Sequence, residues 1–452
     1  MELISLSANP DLQTLVDRNS TRPVNVTSVE VSGGHAFRQG YLNRQISPLL
    51  EPNQDLKTFL SRLETAGTNL STLGNVKYQL DLDQGPTLSE DLDIKATVYL
   101  EQAQKTSAWL KTITKDDVAG QYNAGTIIRN AFGGAEQVSL VASGGLAPRP
   151  FKQMAIGVET PLYQNVAFKL GGSWASKQLP WASHSQEALA ATASLLVRPA
   201  VGQCELGLET GTRNVHSIKS SASDSVRLGA GQSGKTCAFA RYSLDETESE
   251  AGYIVNGYKA SMTAEKAFTL GSNNSLGLPA DVEFTRAVAR GLYAKSLDSA
   301  HNRLVVNVGG TVGALWCNGG SSIVDRFFVG DDMRQYGYQF NGTGPRDVDD
   351  AIGGDALVGA NVSVYGKFPR LPLDSPLRFK LAFGGASLAV DGGSNSPFSQ
   401  VLNTRPSTGG AAGVVYKTDS VDFELMYGVP LSSQPSDWGK RGFQFGVGIS
   451  MR

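Results

Sequence analysis

The chain has 452 residues with 40 basic and 42 acidic side chains, and charged residues make up only 18%. That length holds two or more domains or one large closed sheet, and a net charge of −2 excludes the global basic field that nucleic-acid binding uses. Cys204, Cys237 and Cys317 lie far apart, as do His35, His184, His216 and His301, so their spacing encodes neither a disulfide framework nor a metal cluster.

In chain order, residues 1–21 read as an N-terminal extension. The opening "MELISLSA" has no basic n-region and no long apolar run behind it, which is not the pattern of a Sec signal peptide. The sequons at Asn25 and Asn341 therefore carry little weight. No run of eighteen apolar residues encodes a transmembrane helix. Residues 22–104 read as a small α/β domain. Val26–Val31 has strand character, and Phe37–Leu50 reads as a helix with Leu42, Ile46 and Leu49 on one face. A second helix begins near Asn53, a candidate N-cap, and carries Leu56, Phe59, Leu60 and Leu63 at i, i+3, i+4, i+7 until Gly74. Two alternating strands follow, Val76–Leu82 and Leu92–Leu100, joined by a Gln84-Gly85-Pro86 turn.

From about Trp109 the helical period gives way to period two. Leu377, Phe379, Leu381 and Phe383 oppose Arg378 and Lys380; Val421, Phe423, Leu425 and Tyr427 oppose Asp422 and Glu424; Phe443, Phe445, Val447, Ile449 and Met451 oppose Gln444, Gly446, Gly448 and Ser450. A soluble sandwich and a transmembrane barrel both fit alternation. The long run of strands without a break, the polar face rich in Gly, Ser, Lys and Arg, and aromatics near segment ends (Trp174, Tyr365, Tyr427, Phe443) favour an antiparallel transmembrane barrel over residues 105–452. The count is about sixteen strands, if the stretches 203–214 and 223–231 form one interrupted strand. The closing segment, Gly442–Met451, is expected to pair with a first strand inside Trp109–Asn130.

Residues 229–236, "GAGQSGKT", match the phosphate-binding loop pattern. Such a loop needs a buried apolar strand before it and a helix after it. Here Ser220–Leu228 is too polar for the strand, and Thr236–Leu244 alternates at strand period. The nearest second motif, Ile323-Val324-Asp325, has a very short apolar run. The reading preferred to a nucleotide hydrolase is a tight turn, Gln232-Ser233-Gly234, between antiparallel strands.

A β-α-α-β-β domain ahead of a barrel resembles a POTRA domain joined to a BamA-like outer-membrane protein insertase. The stretch 324–336 sharpens this: Asp325, Arg326, Phe327 and Gly330, then Met333, Arg334, Gln335 and Tyr336, with Gly344-Pro345 beyond, resembles that superfamily's inward-folded loop. Asp331 and Gln335 stand where the motif has glycine, so Gln335 is expected to be strained or the loop path altered. Within the superfamily the chain is most similar to the core β-barrel subunit of the mitochondrial sorting and assembly machinery. Asn130–Val138 near the barrel start resembles that subunit, and Lys440, Gly442, Phe445 and Val447 fit its last-strand signal.

The resemblance implies a binding-and-folding catalyst without an enzyme active site, cofactor, metal, nucleotide or nucleic-acid partner. It implies a multi-pass barrel in the mitochondrial outer membrane with its N-terminal domain in the intermembrane space. Its partners would be β-barrel precursors as clients, accessory subunits of the complex and the lipid bilayer, with clients passing a lateral gate between first and last strands. A passive channel of the same membrane is the alternative. Inside a lumen Arg334 needs an acidic partner, and Asp355 and Glu424 are the two candidates.

Overall fold

The computed structural model describes residues 18–51, 54–71, 76–84, 92–102, 104–115, 118–146, 148–163, 165–268, 283–298, 301–317, 320–390 and 397–451. They fall into two compact units. The first takes in residues up to Ser107 with Ile127–Val138 and Val158–Ala167; the second takes in the rest.

In the first unit, β1 (Pro23–Ser32), β2 (Gln54–Asp55), β3 (Val76–Gln84) and β4 (Leu92–Gln102) form a sheet in the order β2-β1-β4-β3. β1 and β4 are parallel, a pairing that requires a long crossover, which α1 (Gln39–Ile46) and α2 (Leu56–Ser71) supply. The expected single helix 37–50 is divided. After α1 the chain tightens into a 3₁₀ turn, Ser47–Leu50, where Pro48 has no N–H to donate. Leu42, Ile46 and Leu49 are nonetheless all buried, as their period demands. The N-terminal cap of α2 is Asp55, whose Oδ1 accepts from Thr58 N at 2.8 Å. Asn53, Gly74 and the Gly85-Pro86 turn lie outside the described residues.

Sixteen antiparallel strands close a ring. The early ones are β5 (Thr106–Lys115), β6 (Val118–Arg129), β7 (Gln137–Gly145), β8 (Phe151–Tyr163) and β9 (Val166–Leu179). Then come β10 (His184–Val197), β11 (Gln203–His216), β12 (Gly231–Glu250), β13 (Tyr253–Ala267), β14 (Phe284–Ser296) and β15 (Leu304–Cys317). After a long internal segment containing the small ribbon β16 (Arg346–Asp347) and β17 (Asp350–Ala351), the ring resumes. It continues with β18 (Ala356–Lys367), β19 (Leu377–Ala389), β20 (Ser407–Lys417), β21 (Val421–Ser432) and β22 (Gly442–Met451), which pairs with β5. No helix among the described residues is long and apolar enough to cross a membrane, so the crossing elements are strands.

Alternation sorts the side chains as the sequence pattern requires. Leu381 and Phe383 are about half exposed on the outer face of β19, whereas Arg378 and Lys380 are buried on its inner face. Phe443 and Tyr427 stack edge-to-face on the outside, centroids 5.1 Å apart, as interface aromatics do. Tyr365 departs from that expectation. It shares the inner face with Ser363 and packs on Tyr253 at 5.7 Å.

Three boundaries differ from the sequence reading. The first barrel strand starts at Thr106, before Trp109, because Trp109 is already inside the pairing: it bonds Asn123 at 3.1 Å and covers Gly125, where no Cβ would fit. The stretches 203–214 and 223–231 are not one strand. β11 ends at His216, and Asp224–Leu228 forms a short helix, α3. Gln232-Ser233-Gly234 is not the turn; it lies within β12, paired with Asn214, Arg213 and Thr212.

Two substitutions test this packing. Phe59, 1% exposed in the N-terminal core, is expected to cost about 3–5 kcal/mol on replacement by alanine. Limited proteolysis should then cut residues 22–102 early while the barrel keeps its heat-modifiable gel mobility. Gly125→Val should expel the Trp109 indole, seen as a changed tryptophan emission maximum, and loosen the first hairpin.

Candidate functional site

The segment between β15 and β18 runs back through the barrel, because its side chains meet inward-facing residues on strands far around the ring. At its start, Asp325 accepts from Arg213 of β11 at 2.6 Å, and both are nearly buried. Arg326 lies 3.7 Å from Asp355 and donates to Ser321 Oγ at 2.8 Å. Phe327, 1% exposed, lies under the Arg286 guanidinium of β14 at 4.6 Å and bridges to Gly354 through its backbone. Gly330 N donates to Asn341 Oδ1 at 2.7 Å. Met333 packs against the same inner cluster as Phe327, over the bare Cα of Gly359. These contacts tie both walls to one segment of chain.

The tip of the segment docks on the strands that follow it. Of the two carboxylates open to Arg334, it takes Glu424 of β21 at 2.8 Å, leaving Asp355 to Arg326. Tyr336 OH donates to the other Glu424 oxygen at 2.6 Å. Lys380 of β19 donates to that oxygen at 3.0 Å and to Tyr336 OH at 2.8 Å. One carboxylate thus holds two cations and a phenol, a charge-assisted cluster shielded from bulk water. Sequence alternation placed Glu424 and Lys380 on their inner faces but could not say which charges would meet.

Gln335 is not strained. Its amide donates to Ser407 O at 2.6 Å and accepts from Thr343 Oγ1 at 2.9 Å. The left-handed turn falls instead at Gly337, φ 81°, where an added Cβ would strike the backbone of Val429. The loop path has moved its glycine two residues on.

Beyond Gly337 the segment behaves as a short extra strand against the residues leading into β22. Lys440 N donates to Gly337 O at 2.8 Å, Gln339 N to Trp438 O at 3.0 Å, and Trp438 N to Gly342 O at 2.7 Å. Asp437 adds a hub, accepting from Ser407 Oγ at 2.5 Å, Gln434 N at 2.6 Å and Gly344 N at 3.1 Å. Sequence reasoning found neither contact set, since backbone pairing leaves no residue signature.

β22 itself pairs unequally. Six residue pairs join it to β5, from Gly446↔Lys115 to Met451↔Leu110, and eight join it to β21. Pairs such as β10–β11 and β12–β13 have thirteen and fourteen. Phe443 and Phe445 are exposed on the outside of β22, and Val447 shares their face; Gln444 is buried inside. Gly442 sits at φ 139° with open space around it, so conformation rather than crowding favours glycine there.

Around β9 to β14 the inner wall carries alternating charges. Lys235 bonds Glu265 at 2.6 Å and lies 3.6 Å from Glu209; Arg241 lies 3.6 Å from Glu205, and Arg286 bonds Glu265 at 3.3 Å. This accounts for the lysine of "GAGQSGKT". It belongs to a strand, and its ammonium neutralises a neighbouring strand's carboxylate. Among the described residues no group of three or more His, Cys, Asp or Glu is placed to hold a metal.

A closed sixteen-strand barrel with a loop braced through its lumen defines the class: a transmembrane β-barrel with an internal, chain-encoded obstruction. Residues 130–451 match the Omp85 superfamily domain, and the chain belongs to that superfamily. It is 28% identical over 456 residues to a SAM50-like protein of Schizosaccharomyces pombe, covering 97% of this chain and 93% of that protein. Over 130 residues, 28% of this chain and 27% of the other, it is 34% identical to the sorting assembly machinery 50 kDa subunit of Saccharomyces cerevisiae. BamA from Haemophilus ducreyi lacking POTRA domains 1–3 has the same fold, with a TM-score of 0.75 at 14% identity over 95% of this chain and 85% of that one. CdiB from Acinetobacter baumannii follows at 0.57 and 14%, over 95% and 74%.

Two outcomes follow from the site. Glu424→Gln leaves Lys380 and Arg334 without their shared anion, and should cost about 3 kcal/mol by the rule for breaking buried pairs; Arg334→Ala, with a more exposed side chain, should cost less. The midpoint of heat-modifiable gel mobility ranks them. Lys235→Ala should leave nucleotide titrations flat in both proteins, since ATP and GTP have no cradle here.

Proposed function

We propose that this protein folds β-barrel precursors and inserts them into the mitochondrial outer membrane through a gate between β5 and β22. The observation that carries the reading is the short register of that seam, six pairs against eight to fourteen between the other neighbours with a described register. In hydrocarbon an unpaired strand edge is costly, so a barrel opens where fewest bonds are lost. The opened edge then offers main-chain donors and acceptors to an incoming strand, an augmentation that gives affinity with little demand on client sequence. Pairing and lipid burial drive the reaction, and no nucleotide is consumed.

The loop residues Asp325, Arg326, Phe327, Gly330, Met333, Arg334, Gln335 and Tyr336 brace the lumen while the seam works. The backbone bonds from Gly337–Gly342 to Trp438–Lys440 link that brace to the start of β22. Lys440, Gly442, Phe445 and Val447 form the seam strand and its approach, with outward aromatics that keep it in lipid when its pairing opens. The N-terminal domain would stand in the intermembrane space, where clients arrive, and accessory subunits would complete the machine. The family relationship and the SAM50-like relative support this setting.

The test is a locked seam. Thr112 and Ile449 are directly paired across it. Cysteines at both positions, with Cys204, Cys237 and Cys317 replaced, should form a disulfide in the resting barrel and stop precursor assembly, which reduction restores. Normal assembly by the oxidised protein would remove the gate from the mechanism.

A further inference from the structure

A cavity of about 990 Å³ lies in the barrel unit between the inward segment and the wall. Its described lining includes six basic side chains, Arg149, Lys177, Arg286, Arg326, Arg334 and Lys440, and no acidic one. Three of these are balanced by carboxylates set back in the wall or loop: Arg286 by Glu265, Arg326 by Asp355 and Arg334 by Glu424. Arg149, Lys177 and Lys440 have no printed counter-ion of that kind, so the lining carries a positive excess. Seven glutamines complete the polar surface, among them Gln153, Gln178, Gln186, Gln339 and Gln444.

We propose that this cavity binds an extended acidic segment of a partner polypeptide. Volume excludes a lone inorganic anion as the fitted ligand, since the space is at the top of the ~300–1,000 Å³ range of ligand pockets. A glutamine side chain is a primary amide, with donor and acceptor geometry matching a peptide bond, so a glutamine-lined wall pairs with an extended backbone. The cations then select carboxylate side chains. A single-stranded nucleic acid would need open aromatic faces for its bases. Here those faces are taken: Phe340 lies under Arg149 at 3.3 Å with Trp181 at its edge, and Trp438 lies under Arg346 at 3.6 Å. Peptide is the chemistry that fits.

The probe is a fluorescent glutamate-rich peptide, with its glutamine-for-glutamate counterpart, titrated by anisotropy into the full-length protein in detergent. The acidic peptide should bind and weaken with salt, and the neutral one should not bind. Lys177→Glu, at an exposed side chain, should lower affinity about fivefold, the scale of one reversed, partly solvated charge contact. Arg149→Gln with Lys177→Gln should also lower it. Retained heat-modifiable mobility shows that each variant is folded. Equal binding of the two peptides, indifference to Lys177→Glu in a folded barrel, or displacement of the peptide by an oligonucleotide at lower concentration would each overturn the assignment.

Discussion

A backbone inside hydrocarbon has no water to bond, so every N–H and C=O along a spanning strand needs a neighbour. That constraint closes the sheet: β22 must return to β5, or two edges face lipid. It also makes the closure the place where structure and activity compete. A long register there gives a rigid channel, whereas six pairs give a closed ring whose weakest joint is known in advance.

The loop through the lumen follows from the same closure. A barrel of sixteen strands encloses more space than its inward side chains fill. The chain answers by folding the segment after β15 back inside and fixing it at three stations. Arg213–Asp325 holds its start, Phe327 and Met333 fill the inner cluster, and Glu424 gathers Arg334, Tyr336 and Lys380 at the tip. Each station uses a charge or a ring whose desolvation would be costly alone and is offset by its partner. Two bare glycine positions make the fit possible, Gly359 beneath Met333 and Gly409 beneath the Tyr336 carbonyl.

The loop and the seam are not independent. Gly337–Gly342 pairs with the residues that enter β22, so a shift at the tip is felt by the strand that forms the weak joint. The same segment walls the cationic cavity, with Arg334, Gln335, Tyr338 and Gln339 on one side and Lys440 and Gln444 on the other. A single element therefore touches the wall, the cavity and the approach to the seam.

The alternation of Phe443–Met451, of Val421–Tyr427 and of Leu377–Phe383 was enough to determine strands, their two faces and a membrane barrel, because period two is set by the pleat itself. The helical repeat of Leu56–Leu63 determined the small α/β domain in the same way. The loop motif was legible too, since Asp325, Arg326, Phe327 and Arg334 stand at recognisable spacing. Tertiary structure alone decided the pairings. It gave Arg334 to Glu424 rather than Asp355, turned Tyr365 inward, moved the tip glycine to Gly337, and made Lys235 a lumen counter-ion despite its phosphate-loop spelling. Local sequence fixes which face a side chain takes; which charge it meets across a barrel depends on register and curvature summed over many strands, and no short stretch of residues carries that sum.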